Sequence, residues 1–312
     1  MQTKECFVMK RKVSINIGPF QKEMGDIEAL KFAKSIGADA VDYNLCGLEH
    51  DYRQPSSVYS KSMDEIATYY EKVGKAAKET GIEIGQTHGR IEGFKNKPDE
   101  DEALVKNSEI DCMATKLLDC PYCVMHGVTT IFMGPDCDPK LMRDLNFDMF
   151  CRFLEYAKKY DITLATETFG DAVKFNSCDF FGNIDEFIKT YNRICAVSDN
   201  RKYLKYCVDT GHSNKASRFN NNPTPGDIIR MLGGDIVCLH LNDNDKLTDQ
   251  HKTPKTGTID WNDVFDALDE VGYNGIYNME LSHNHFGKGF MKESAEFSVK
   301  VMKYMLEERY GK

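Results

Sequence analysis

The sequence predicts an α/β protein, a single closed (β/α)8 TIM barrel, and three observations lead to it. Eight short apolar runs alternate with segments of helical period along the 312 residues. The runs are apolar on both sides, as parallel strands must be when helices cover both faces of their sheet. Divided by eight, the 312 residues leave about 39 per unit, enough for a strand, a helix and two loops.

In chain order the runs are VSINIG (13–18), AVDYNL (40–45), IEIGQTHG (82–89), YCVMHGV (122–128), ITLATETFG (162–170), LKYCVDTGH (204–212), DIVCLHLND (235–243) and GIYNMELSH (275–283). Between them Ile66, Ala67, Tyr70, Val73 and Ala77 follow helical spacing, as do Ile110, Met113, Ala114 and Leu117. A later helix carries Trp261, Val264, Phe265, Leu268 and Val271, with Asp260 as its N-cap. A last one presents Ala295, Val299, Met302 and Leu306 on one face. The fifth unit is the weakest, because 171–203 is polar and its helix, about 183–194, is short. No Gly/Pro/Ser-rich linker divides the chain, so 1–312 reads as one domain with a short N-terminal extension over about 1–11. Neither GxGxxG nor GxxxxGK[ST] occurs, which argues against an open nucleotide-binding sheet.

With 41% hydrophobic and 29% charged residues, the composition is that of a globular protein with a large core. The net charge of −9 and the shortness of the basic runs disfavour DNA or RNA as partners. No apolar stretch approaches the roughly 18 residues of a membrane span. The first residues lack the apolar segment of a secretion signal, so a cytoplasmic location with reduced thiols is expected for the eleven cysteines. Cys207 and Cys238 read as small core residues. Cys120-Pro-Tyr-Cys123 has the form of a redox motif but joins the end of a helix to the start of a strand. A low-pKa thiolate needs the opposite polarity, so the segment reads as a turn.

The strongest functional signal is position. Chemistry in such barrels sits at the C-terminal ends of the strands. All eight histidines fall at or just beyond those ends: His50, His88, His126, His212, His240, His251, His283 and His285. Glu167, Asp209 and Glu280 end the fifth, sixth and eighth runs. Side chains alternate along a strand. Glu167, Asp209, His240 and Glu280 therefore share a direction with Ala165, Cys207, Cys238 and Asn278, while Leu164, Val208, Leu239 and Met279 face the helices. Three carboxylates crowded together would repel or take up protons unless a cation compensates them. Three oxygen donors and one imidazole suit one divalent ion: Mn, Zn, Co, Fe or Mg. Beside them His88, His126, His212, Asp249 and His251 form a second constellation, which holds either further ions, up to three in all, or sugar hydroxyls.

The Glu167 strand end, Asp209-Thr-Gly-His212, His240-Leu-Asn-Asp243-Asn-Asp, Asp249-Gln-His251, Gly257…Asp260-Trp261 and Glu280 resemble the xylose isomerase-like TIM-barrel superfamily, in its sugar phosphate isomerase/epimerase branch. The resemblance spans nearly the whole chain. It implies that Glu167, Asp209, His240 and Glu280 match the metal ligands of ketose 3-epimerases, with Glu167 and Glu280 as the acid–base pair, and that His212, Asp243 and Lys246 lie near the substrate. The same superfamily contains endonuclease IV-type abasic-site nucleases with three zinc ions. Counterparts of all nine of their ligands are present: His88, His126, Glu167, Asp209, His212, His240, Asp249, His251 and Glu280. Two positions depart from the epimerase pattern. Lys246 stands where those enzymes carry arginine, and Val173 where they carry glutamate, which puts a standard free-ketose 3-epimerase in doubt.

The expectation is a metal-dependent isomerase or epimerase acting on a small carbohydrate through an enediolate. Glu167 and Glu280 would move the proton, and His88, His126 and His212 would orient hydroxyls. A lyase on an oxidised sugar or inosose, including C-glycoside cleavage, shares the enolate and is the nearest rival. A nuclease and a non-catalytic metal- or sugar-binding protein are the alternatives of other classes. Barrels of this kind often self-associate, so a homo-oligomer is among the expectations.

Overall fold

The computed structural model describes residues 11–219 and 221–311; the predicted N-terminal extension lies almost wholly outside the described residues. Each of the eight apolar runs forms a strand. These are β1 (Val13–Asn16), β2 (Ala40–Asn44), β3 (Glu83–His88), β4 (Tyr122–Met125), β5 (Thr163–Glu167), β6 (Leu204–Asp209), β7 (Ile236–His240) and β8 (Tyr277–Met279). They pair in parallel in the order β8-β1-β2-β3-β4-β5-β6-β7. The last seam, β7 to β8, is held by a parallel bridge between Leu241 and Met279, with Leu241 N donating to Asn278 O at 2.9 Å.

The helices form where the periodicity places them. Met63–Thr80 opens on a capping box in which Ser62 and Glu65 satisfy each other's backbone N–H groups, and it closes on Gly81 at φ 69°. Pro98–Leu117, Trp261–Glu270 and Met291–Tyr310 follow, and Asp260 caps the first turn of Trp261–Glu270 through Asn262 N and Asp263 N. Several helices among the described residues escaped the periodic reading, Thr210–Ala216 among them. Gly18–Met24 and Asp26–Ser35 share one connection, Pro139–Tyr160 has a diffuse apolar face, and Pro225–Leu232 spans only two turns. The weak fifth unit breaks into a small hairpin, Asp171–Ala172 with Ser177–Cys178, the helix Ile184–Cys195 and a single turn, Asn200–Tyr203.

Strand alternation sorts the side chains into two cores. Leu164, Val208, Leu239 and Met279 join the large layer between strands and helices. Val124, Ala165, Cys207 and Cys238 form a small separate cluster inside the barrel. Cys207 and Cys238 are thus core residues, as their surroundings in the sequence suggest. Cys120 and Cys123 are buried at the turn entering β4, and burial pushes both thiols up, the reverse of a redox-active thiolate.

Candidate metal centre and active-site cavity

Above the small inner cluster the strand ends deliver their polar side chains into one space. Glu167, Asp209 and His240 end β5, β6 and β7, and Glu280 follows β8 directly. One donor atom from each of the four lies within 4.8 Å of those of the others. His240 Nδ1 approaches two carboxylates, 3.1 Å from Glu167 Oε2 and 3.3 Å from Glu280 Oε2. Asp209 is also the N-cap of the helix Thr210–Ala216, which begins without a loop: its Oδ1 accepts from His212 N at 2.6 Å and its Oδ2 from Asn242 Nδ2 at 2.8 Å. That cap locks the carboxylate and throws His212 one turn onward into the same space. Gly211 is required there, since a Cβ would lie 1.9 Å from Asn242 Oδ1.

The second constellation joins this centre from two sides. His126 Nε2 lies 3.0 Å and His88 Nε2 3.5 Å from Glu167 Oε2. On the other side His212 Nδ1 is 3.1 Å from Glu167 Oε1, and Asp249 bridges His212 Nε2 (3.5 Å) and His251 Nε2 (3.3 Å). All nine predicted donors therefore converge: His88–His126–Glu167 and Glu167–Asp209–His240–Glu280 share Glu167, and His212–Asp249–His251 adjoins them through His212. Both Glu167 oxygens, His126 Nε2 and His240 Nδ1 are buried without an aligned hydrogen bond. Orphaned donors and acceptors of this kind are costly unless something else satisfies them, and their chemistry fits a divalent cation.

Within the cluster, acids and imidazoles shift one another's proton affinities. Burial opposes charge on Glu167, yet His240 and His126 hold its carboxyl well below the usual range. Burial, against the pull of His212, pushes Asp209 up to about 6. His212, buried but facing Asp209 and Asp249, is held well above the ordinary imidazole value, and His251 rises to about 9 beside Asp249 and Glu280. His126 goes the other way, lowered by burial despite Glu167.

A cavity of about 600 Å3 opens over the cluster, with Glu280, His88, His126, His212, Asp249 and His251 on its wall. Phe169 closes one side, its ring 4.9 Å from that of His212. Two of the predicted substrate contacts stand apart. Asp243 is fully buried and its carboxylate is spent on the loop: Oδ2 accepts from Trp261 Nε1 at 2.8 Å, and Oδ1 from Asn244 N at 2.9 Å and Ile259 N at 3.2 Å. Among the described residues Lys246 shows only a backbone contact, to Asn244 Oδ1, in a turn at φ 68°. Three of the eight histidines also lie outside the cluster. His50 packs on Tyr59, His283 on Phe20, and His285 is exposed.

Sequence reasoning missed Asp42. It points inward from β2, is 1% exposed, and places Oδ2 3.2 Å from His240 Nε2 while accepting from Gln86 Nε2 and Asn278 Nδ2. The signal was present as a lone acid in the middle of an apolar strand. Also unforeseen is buried Lys215, which ties Asp171 (2.7 Å) to Asp249 (3.4 Å).

Residues 30–303 match the sequence profile described as the xylose isomerase-like TIM barrel, and the chain belongs to that family. An uncharacterised protein of Methanocaldococcus jannaschii is 27% identical over 140 residues, a match spanning 44% of this chain and 43% of that protein. A D-psicose 3-epimerase from Clostridium cellulolyticum H10, solved with D-tagatose, superposes at a TM-score of 0.71 and 14% identity, covering 95% of this chain and 99% of its own. The IOLI protein with a bound zinc atom superposes at 0.67 and 15% identity, covering 96% and 99%. These likenesses show the fold. Among the described residues no helix is long and apolar enough to cross a membrane.

Proposed function

We propose that the protein is a divalent-metal-dependent sugar isomerase or epimerase that moves a proton next to a carbonyl. The observation that carries this reading is the pair of glutamates that both approach His240 Nδ1, at 3.1 and 3.3 Å, beneath a cavity. Glu167, Asp209, His240 and Glu280 would hold the ion. Bound there, a divalent cation polarises a carbonyl and steadies negative charge on the adjacent oxygens. Glu280 lines the cavity and would exchange the substrate proton, with Glu167 as its counterpart on the buried side. His88, His126 and His212 would orient hydroxyls, and Phe169 would face the C–H surface of a sugar.

The lining also bears on substrate charge. Among the described residues its single Lys or Arg is Lys22, 61% exposed and 3.6 Å from Glu49. A phosphate group calls for a cluster of cations or N–H donors, so a neutral sugar fits better than a sugar phosphate. The epimerase among the structural neighbours supports the same class, and the zinc of another supports the metal.

The test is incubation of the manganese-loaded protein with a panel of ketoses in deuterated water. Deuterium should enter at the carbon next to the carbonyl, and chelation or Glu280→Gln should abolish its entry. Turnover without exchange would sink the enediolate, and elimination products would move the assignment to a lyase.

A second reading rests on the three adjoining donor sets, which give room for a three-ion centre of abasic-nuclease type. One ion per chain by elemental analysis supports the sugar reading. Three zinc ions together with nicking of abasic duplex DNA would replace it.

A further inference from the structure

The active-site cavity does not end at the metal-ligating cluster. A second chamber of about 500 Å3 adjoins it and shares Gly18, Lys22 and Asn44 as common wall. The far side is built by the connection between β2 and the helix Met63–Thr80. That connection runs over residues 45–62, far longer than the roughly 2–6 residues usual between a strand and its helix. Hydrogen bonds tie it to its surroundings. Tyr52 N donates to Asn107 Oδ1 at 3.0 Å, Ser57 Oγ donates to Glu49 O at 2.7 Å, and Ser62 ends it in the capping box. A long connection pinned in this way is a constructed wall, and its chemistry suits hydroxyls.

Three features of the chamber match the chemistry of a sugar ring. Tyr69 lines it, is 39% exposed, and is anchored through its hydroxyl to Asp26, so the ring is a fixed platform. His50 also lines it. Its Nδ1 lies 3.1 Å from Cys46 O, which selects the Nδ1–H tautomer and leaves Nε2 as an acceptor. Lys22 and Glu49, paired at 3.6 Å, stand at the junction and offer one donor and one acceptor without net charge.

We propose that this chamber is a sugar subsite, and that the substrate is a disaccharide or other glycoside whose reacting ring lies at the cluster and whose second ring lies against Tyr69. The assignment rests on the carbohydrate reading above. A free monosaccharide would fill the first cavity and leave the second to water.

Calorimetric titration of the manganese-loaded protein with D-fructose and with lactulose, a ketose carrying a second ring, tests it. Lactulose should bind about tenfold more tightly. Tyr69→Ala should remove that advantage while leaving D-fructose binding within about twofold. Tyr69 is half-exposed, so the variant is expected to fold, and Lys22→Ala gives an independent second lesion at the junction. Equal affinities, a preference for D-fructose, or an advantage that survives in both variants would overturn the subsite while D-fructose binding left the proposed reaction standing. Failure of both sugars to bind would overturn the subsite and the carbohydrate reading together.

Discussion

Replacing Asp243 by alanine separates two roles for the same residue. As a substrate contact, its loss would raise KM and leave the fold alone. In the structure it instead ties the loop together, because its two oxygens collect Trp261 Nε1, Asn244 N and Ile259 N, all buried. A hydrogen bond to a charged acceptor contributes about 1.5–3 kcal/mol, and a buried donor left unsatisfied costs about 1–3. Water entering the space vacated by the carboxylate would recover part of this, so a net loss of about 4 kcal/mol is expected. Unfolding entropy scales as roughly 2.1 cal/mol/K per residue, so one degree corresponds to about 0.65 kcal/mol for a chain of this length. The midpoint should therefore fall by about 6 °C, read by calorimetry or circular dichroism. Metal uptake per folded molecule should stay close to that of the parent. An unchanged midpoint with KM raised tenfold would refute the reasoning and restore Asp243 to the substrate.

Three further outcomes are expected. Glu280→Gln should lower the rate of hydrogen exchange by at least about a hundredfold, the range for losing a positioned proton-transfer group; a fall of less than threefold would acquit it. Asp42→Asn should weaken metal uptake by about tenfold in competition with a chelator, because the carboxylate facing His240 Nε2 orients the ring and raises its basicity; unchanged affinity would remove Asp42 from the site. His50 is buried beside Arg90, and burial first, then that charge, lowers its value to about 4, against about 6.5 in an unfolded chain. A depressed histidine stays neutral in the native state, so its stabilisation is complete above about pH 6.5 and is lost as pH falls toward 4, by about 3 kcal/mol. Denaturant unfolding of His50→Gln should show a shallower acid slope than the parent, and parallel slopes would contradict the shift.

What was legible in the sequence follows a physical line. Strand positions and the inward ligand set could be read because both rest on a period of two within runs of six to nine residues. Asp209 and His212 could be read as site residues, but the cap that joins them could not, since the strand passes into the helix Thr210–Ala216 without a turn signal. Asp42 was hidden by its neighbours. Within AVDYNL it looked like an interruption of an apolar run, and only closure of the barrel brings β2 across to His240. The overcounting of histidines has the same origin. His283 and His50 occupy the right level of the barrel, but packing against Phe20 and Tyr59 turns them away from the cluster. Level along a strand is a local property, whereas convergence depends on curvature that no single strand encodes.

The separation of the two cores explains how this chain can carry so expensive a cluster. Five acids, Asp42, Glu167, Asp209, Asp249 and Glu280, meet five histidines at the mouth of the barrel. In an ordinary hydrophobic core such a set would cost more than its ion pairs return. Here the interior of the barrel beneath it is held by a small apolar cluster, Val124, Ala165, Cys207 and Cys238, with Tyr122 and Val237 against it. The bulk of apolar burial lies instead in the outer layer between strands and helices, where Leu164, Val208, Leu239 and Met279 point. Each strand therefore contributes to stability with one face and to chemistry with the last residues of the other. Changes at the mouth can alter what the site binds without drawing on the packing that keeps the barrel closed. That division also accounts for the long connection over 45–62: it is built onto the mouth, where added chain shapes a cavity and disturbs no strand.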